Sequence, residues 1–328
     1  MDPNALAHHA RYVPGQRRGH YESFFQRGNH PSRPLAFWIR HMVFQPEGQP
    51  EAAVGELWAV WFDGEDGRHV AVREEHPIAD CHFDRAAFDV WIAASTLGPG
   101  ALRGEAATGN HRIAWDLGWG GGQPPLLLFP TPLYRTALPK AKALVGTPQA
   151  RWRGALVVDG ERHPVDGWVG SENHNWGSRH TDHYAWGQVA GFDDAPDTFL
   201  EVGTGQIRIG PVWTPPLTPL VLRHEGVEYR MNRRIAWTGT FAPFSWTFRG
   251  TCRQGRLEGR IDAAPDDFVA LPYANPPGGV KWCLNTKIAS CEVTLSPRRG
   301  PPVTLRSAHR AAFEILTDDP DHGVRRGL

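Results

Sequence analysis

The chain carries no excess of either charge. Its 35 lysines and arginines match its 35 aspartates and glutamates over 328 residues, so no overall field draws in nucleic acid, anionic lipid or an acidic partner. Cysteine is sparse: Cys81, Cys252, Cys283 and Cys291 form neither a CxxC pair nor a dense disulfide framework. The opening residues lack the apolar core of an export signal, and free thiols in a cytoplasmic protein are the expectation. Long apolar runs are missing as well. The densest aliphatic segment, PLLLFP, is bracketed by prolines and falls well short of the roughly 18 to 20 residues that cross a bilayer, so a soluble chain without a membrane span is expected.

Aromatic and turn-forming residues are abundant. There are 14 Trp and 15 Phe against 6 Tyr and 3 Met, with 36 Gly and 29 Pro, a composition that favours many short strands over long helices. The length suits two domains of ordinary size.

HYESFFQRG and PLAFWIRHMVFQ predict two strands joined by NHPSR. In the second, Leu35, Phe37, Ile39, His41 and Val43 share one face, and Ala36, Trp38, Arg40 and Met42 share the other. Both faces are mostly apolar, so both are expected to meet covered surfaces. GELWAVWFDGEDGRHVAVREE predicts a hairpin, and AAFDVWIAAS, LRGEAA and HRIAWDLGW predict further strands. ALPKAKALVG predicts a short helix, with Pro139 near its start and Gly146 as terminator. RWRGALVVDGERHPVDGWVG returns to strands.

The second half repeats the rhythm in HYAWGQVAGF, DTFLEVGTGQIRIG, VLRHEGVEYRM, RRIAWTG, FSWTFRGTCRQGRLEGRIDA, VKWCLNTKIASCEVTL and VTLRSAHRAAFEIL. In the fifth of these, Phe244, Trp246, Phe248 and Cys252 alternate with Ser245, Thr247, Arg249, Thr251 and Arg253, the pattern of a strand with one wet face. PVWTPPLTPL and LPYANPPGG are expected as loops over barrel mouths. The sequence therefore predicts an all-β protein of two tandem antiparallel barrels or sandwiches with few short helices, residues 1–170 and 171–328, the boundary falling near Gly170.

Chemistry concentrates in GSENHNWGSRHTDHYAWGQ, from Gly170 to Gln188. His174, His180 and His183 are spaced H-x5-H-x2-H, which matches no helical or finger pattern for one zinc ion, so no metal is expected. No G-x-S-x-G elbow surrounds Ser171. In HYAWGQ, Tyr184, Trp186 and Gln188 share one face while Ala185, Gly187, Val189 and Gly191 make the other small, which describes a ligand wall and an ordinary barrel core equally well. ENHNWG, read as a loop, holds more hydrogen-bonding groups than a turn needs. Its imidazole could relay a proton near neutral pH, or His174 and Trp176 could lock the two barrels together as a buried clasp.

GWVGSENHNWG followed by HYAWGQ resembles the signature of the double-lipocalin superfamily: carotenoid 1,2-hydratases, AttH-like proteins, tocopherol cyclases, Diels–Alderases and lipid carriers of the survival-factor type. YESFFQRGNHPSRPLAFWIRHMVF, RIAWDLGW, LPKAKALVGTP and RWRGALVVDGERHPVDGW follow in the family's order, from about Tyr21 to Phe192. The resemblance implies two lipocalin-like barrels with a hydrophobic cavity, and large apolar ligands, often isoprenoid or polyketide. Many members carry Asp-His-x-Trp-Gly; His174, Trp176 and Gly177 fit, but Asn173 stands in the acid's place, leaving Glu172 or Glu22 to supply one.

On this reading the chain is an enzyme without organic cofactor or metal, acting on a bulky hydrophobic small molecule by hydration, cyclisation or pericyclic closure. His174 is the proton relay and Glu22 or Glu172 its acid partner, with a pKa raised by neighbouring indoles. Trp176, Tyr184 and Trp186 hold the substrate, with Gln188, Asn175, Arg40 and Trp38 beside it. Glu22 and Arg40, on neighbouring strands, could instead neutralise each other across the hairpin. A carrier or sensor that leaves its ligand unchanged uses the same lining, and a structural protein with a filled core is a third reading. The sequence leaves the oligomeric state open.

Overall fold

The computed structural model describes residues 2–232, 239–242 and 244–328; the expected strand RRIAWTG lies outside these residues except for its final glycine. Thirteen strands form a first antiparallel sheet. They are β1 His20–Asn29, β2 Leu35–Gln45, β3 Val54–Asp63, β4 Val70–Pro77, β5 Cys81–Phe83, β6 Val90–Ile92 and β7 Ser95–Gly98, then β8 Ala101–Thr108, β9 His111–Gly120, β10 Leu126–Leu127, β11 Ala141–Val158, β12 Glu161–Pro164 and β13 Trp168–Gly177. Their order is β4-β3-β2-β1-β13-β11-β9-β8-β7-β6-β5, with β10 and β12 also on β11. The sheet curls until β4 meets β8, where Arg73 N donates to Thr108 Oγ1 at 2.7 Å and Ala107 N to Glu74 Oε1 at 2.9 Å.

The chain leaves this sheet at Gly177 and enters a second, ten-stranded one at His183. Its strands are β14 His183–Ala190, β15 Phe199–Gln206, β18 Leu220–His224, β19 Val227–Arg230, β20 Gly239–Ala242, β21 Ser245–Thr251, β22 Gly255–Asp262, β23 Val269–Ala274, β24 Val280–Pro297 and β25 Val303–Thr317. Among the described residues, the short β16 Arg208–Ile209 and β17 Val212–Trp213 pair with each other alone. One α-helix, α1 Pro3–His8, precedes the first sheet.

Each sheet wraps its own core. Phe37, Ile39, Leu57, Trp115, Trp119, Trp152 and Trp168 fill the first; Leu222, Trp246, Phe248, Phe268 and Phe313 fill the second. A third cluster lies between them, with Ala36, Trp38, Met42, Trp58, Val60 and Phe62 of the first sheet packed on Leu271, Cys283 and Leu316 of the second. The two apolar faces of β2 thus serve two cores, and the strand has no wet face. The expected alternation in β21 also holds, Trp246 and Phe248 buried and Thr247, Arg249 and Thr251 exposed.

Four local expectations are overturned. The segment ALPKAKALVG forms no helix: from Ala141 it is β11, paired with β13 through Leu144 and His174 and with β10 through Val145 and Leu126. Backbone bonding on both edges outweighs the modest helix propensity of a few residues. ENHNWG is no loop but the last six residues of β13. Leu271–Ala274 of LPYANPPGG belong to β23, which pairs along its length with β24 and on its other side is bridged at Ala270 to Arg326; Pro272 lies past that bridge, where among the described residues no ladder bond forms on the free side. AAFDVWIAAS is broken, Val90–Ile92 turning back through Ala93 onto Ser95–Gly98.

Close approach of β1 and β13 places Gly170 opposite Gly28, and a Cβ on Gly170 would lie 1.8 Å from the Arg27 carbonyl oxygen. Gly170→Ala should lower stability by at least ~2 kcal/mol. Gly120→Ala, where nothing lies within 4 Å of the added carbon, should unfold with the wild type in a urea titration; equal midpoints for both variants would contradict the packing.

Candidate functional site

The register of β13 sorts the sequence-predicted residues onto two faces. Trp176 lies opposite Glu22, His174 opposite Phe24 and Glu172 opposite Gln26, while the alternate positions Ser171, Asn173 and Asn175 face Arg27, Phe25 and Ser23. The first set points into the first barrel, the second toward the other sheet. Trp176 therefore does not share a wall with Tyr184 and Trp186: it packs on Leu6, Tyr134 and Leu144, whereas Trp186 meets Phe25 edge-on at 5.9 Å between the sheets.

On the barrel side, His174 is fully buried, stacked on Phe24 at 4.1 Å and beside Trp176 at 4.7 Å. Its Nε2 lies 2.8 Å from Glu22 Oε1. Glu22 also accepts from Arg11 N at 2.7 and 2.9 Å and from Tyr12 N at 2.7 Å, and His20 Nε2 lies 3.1 Å away. Burial by itself would raise this carboxyl, but hydrogen bonds from His174 and His20, then their charges, bring it down to about 2. The expected raised acid is thus a firmly ionised one, and both imidazoles present an N–H to it. Glu172 takes His8 Nε2 at 3.2 Å and Thr147 Oγ1 at 3.4 Å. Together Glu22 and Glu172 tie the segment around α1 across this end of the barrel.

Glu22 and Arg40 are not a pair. Glu22 stands beside Val43 on β2 and Arg40 beside Phe25, so the two side chains leave opposite faces of the sheet.

The face between the sheets carries the clasp, built from the residues that alternate with His174. Ser171 Oγ donates to Gln188 Oε1 at 2.6 Å, and Gln188 Nε2 donates to Asn173 Oδ1 and to Glu201 Oε2, each at 2.8 Å. Arg27 Nε donates to Gln188 Oε1, and Asn175 accepts from Ser23 Oγ. On the small face of β14, Ala185 and Val189 enter the second core, and a Cβ on Gly187 would lie 2.4 Å from the Ile261 side chain and 2.9 Å from the Trp246 ring.

Aromatic rings border the rest of this seam. Tyr184, Trp186 and Phe44 are only partly buried although they lie against the inter-sheet cluster, with Trp38, Phe25 and Tyr273 close by. Trp186 Nε1 donates to Glu201 Oε1 at 2.7 Å. Burial raises the Glu201 carboxyl to about 7, against the pull of its bonds from Trp186 and Gln188 and of the charge on Arg27. Lys287, fully buried, bonds to Glu314 Oε1 at 2.8 Å and sits over the rings of Trp38 and Trp186 at 5.7 and 5.4 Å; burial, its largest influence, lowers its pKa. Tyr184 Oη donates to Glu314 Oε2 at 3.5 Å.

Glu201, Lys287 and Glu314 were not singled out from the sequence. The available signal was a charged residue at an inward position of an otherwise apolar strand, in FLEV, TKIAS and AAFEIL. No group of three or more metal-ligating side chains comes together among the described residues, and no helix among them is long and apolar enough to cross a membrane. Two clefts, of about 1030 and 700 Å³, lie on outer sheet faces and are lined by none of the sequence-predicted site residues.

No protein-family model matches the chain. Two uncharacterized proteins from strains of Mycobacterium tuberculosis are each 27% identical to it over 287 residues, covering 85% of this chain and 82% of theirs. Among solved structures, an AttH-type protein of Nitrosomonas europaea superposes with TM-score 0.54 at 15% identity, over 94% of this chain and 98% of that one. Kievitone hydratase of Nectria haematococca gives 0.55 at 12%, over 93% and 90%. CghA, in a structure with Sch210972, gives 0.51 at 10%, over 95% and 94%. The chain shares the all-β fold of these three structures.

Glu22 sets an acid limit on stability. Its folded pKa of about 2 lies below its ordinary 4.5, so its contribution is complete above about pH 4.5 and is lost as pH falls toward 2. That contribution is on the order of 3 kcal/mol. Glu22→Gln should lose most of it at neutral pH and expose the segment around Arg11 and Tyr12 to limited proteolysis. An unchanged acid-unfolding profile in the variant would show that Glu22 is not the anchor.

Proposed function

We propose that the chain is an enzyme that takes a bulky, largely apolar small molecule into the seam between its two sheets and transforms it by proton transfer, in a hydration, cyclisation or ring closure, without an organic cofactor. The observation that carries this reading is Glu201: a buried carboxyl titrating near 7, held by Trp186 Nε1 and Gln188 Nε2 at the back of a ring-lined wall. General acid–base catalysis at neutral pH needs a group with that proton affinity. The partly uncovered rings of Tyr184, Trp186 and Phe44 offer apolar contact, and their faces stabilise positive charge as it develops on a substrate. Trp38 lies behind them. In this reading the sequence-predicted seam residues Trp38, Tyr184, Trp186 and Gln188 bind or orient the substrate.

His174, Glu22 and Glu172 take a different part from the one expected of them. They hold the inner face of β13 while its outer face presents Ser171 and Asn173 to Gln188, and Trp176 and Asn175 brace the same strand. A hydratase of the same fold, kievitone hydratase, supports a hydration among the candidate reactions. A carrier that leaves its ligand intact is separated by mass spectrometry of a cell extract before and after incubation with the purified chain. New products with the wild type that are about 10²- to 10⁴-fold slower to form with Glu201→Gln support the enzyme; a ligand retained unchanged by both proteins supports the carrier.

Glu201 also has a signature that needs no substrate. Its folded pKa of about 7 lies above its ordinary 4.5, so the folded state holds the proton more tightly. Its contribution is complete below about pH 4.5 and disappears as pH rises through 7, a change on the order of 3 kcal/mol. Glu201→Gln should therefore gain stability over the wild type at pH values above 7 and lose that advantage below about pH 4.5. Parallel curves for the two proteins would remove Glu201 from the proposal.

A further inference from the structure

Among the described residues, Arg40 is a buried cation without a counter-ion. It is 2% exposed, and among the described residues its contacts are ring faces: Tyr273 at 4.6 Å, Trp58 at 5.7 Å and Trp38 at 5.9 Å. Its Nε meets no acceptor. The charged and titratable groups around it are already committed. Glu56, on the same face of the neighbouring β3, accepts from Trp58 Nε1 at 2.7 Å and Arg73 Nη2 at 2.9 Å. Glu314 is taken by Lys287 and Asn285 on one oxygen and by Tyr184 and Cys283 on the other. His180, stacked on Tyr21 at 4.1 Å, is driven down to about 3 by burial first and then by the charge of Arg40, and is neutral. Tyr21 and Tyr273 are raised by burial, so both phenols keep their protons.

A guanidinium with its Nε cut off from water and ring faces as its neighbours is poorly compensated, because ring faces return less than the hydration it has lost. Its planar fork is shaped for two parallel bonds to a carboxylate. It projects from β2 toward Tyr273 of β23, across the same inter-sheet cluster that holds the partly uncovered rings of Phe44, Tyr184 and Trp186. Lys287 lies over Trp38 as well, but it has Glu314; Arg40 has no such partner.

We infer that Arg40 is an anion-recognition residue of the seam, and that the ligand is an amphipathic acid whose carboxylate, or an equivalent enolate, pairs with the guanidinium while its apolar body lies along Trp38, Tyr184 and Trp186. The inference rests on the seam being the ligand site and adds the chemical class of the ligand.

The test uses the full chain and two matched probes, dodecanoate and dodecanol, below their aggregation limits at neutral pH, with tryptophan fluorescence and calorimetry as readouts. Dodecanoate should bind the wild type about tenfold or more tightly than dodecanol, as a charged hydrogen-bonded pair requires. Arg40→Met should bind both probes alike while keeping the wild-type affinity for dodecanol, and Arg40→Lys should keep part of the preference. Without ligand, Arg40→Met should melt no lower than the wild type, because it removes an unpaired buried charge. Equal binding of acid and alcohol by the wild type, a preference that survives in Arg40→Met, or a clear fall in its melting temperature would overturn the anion site while leaving the seam standing. Failure of both probes to bind the wild type would overturn the seam and the anion site together.

Discussion

The structure depends on one strand that is buried on both faces along nearly its whole length, only Asn175 being partly exposed. β13 lies between β1 and β11 in the first sheet, with the inside of a barrel on one face and the second sheet on the other. Every polar side chain it carries must find a partner in protein, since an unpaired polar group costs more buried than exposed. The alternation of strand side chains divides that task. Glu172, His174 and Trp176 meet the segment around α1 and its anchor Glu22; Ser171 and Asn173 meet Gln188. A shift of register by one residue would exchange the two sets and leave both unsatisfied.

Two buried carboxylates show how partners, not burial alone, decide protonation. Glu22 and Glu201 are both nearly without solvent contact. Glu22 collects two backbone N–H groups and two imidazoles and stays ionised to about pH 2. Glu201 receives an indole and an amide, both neutral, and burial carries it to about 7. The first is an anchor at any ordinary pH, and the second exchanges its proton where catalysis would need it.

The seam differs in kind from the cores wrapped by the two sheets. The cores are closed by large rings, Trp115, Trp119 and Trp152 in one and Trp246, Phe248 and Phe313 in the other. Between the sheets, rings alternate with Arg27, Arg40, Lys287, Glu201 and Glu314, and several of the rings remain partly uncovered. A surface that only had to hold two sheets together would need no such charges, for replacing buried ion pairs with apolar residues is often neutral or stabilising. We read these charges as the groups that the proposed chemistry of the seam uses.

Much of this was legible in the residues. The period of two in β2, β14 and β21, the density of aromatic residues and the Gly and Pro punctuation between them determine strands, their lengths and which residues share a face. They also show that β2 has two apolar sides and that the small face of HYAWGQ belongs against a close neighbour. Which partner each face meets was decided by the tertiary structure. Helix propensity at ALPKAKALVG yielded to pairing on both edges of β11, and His174 and Trp186, only twelve positions apart, were sent to opposite sides of one sheet. Glu201 and Glu314 reach the ring wall through strand pairings of β14 with β15 and β25, and Lys287 joins Glu314 through β24. Alternation along one strand is a local property of the backbone, written in the sequence; the choice of partner sheet depends on the total apolar area buried and polar groups satisfied, which exists only once the distant strands have met.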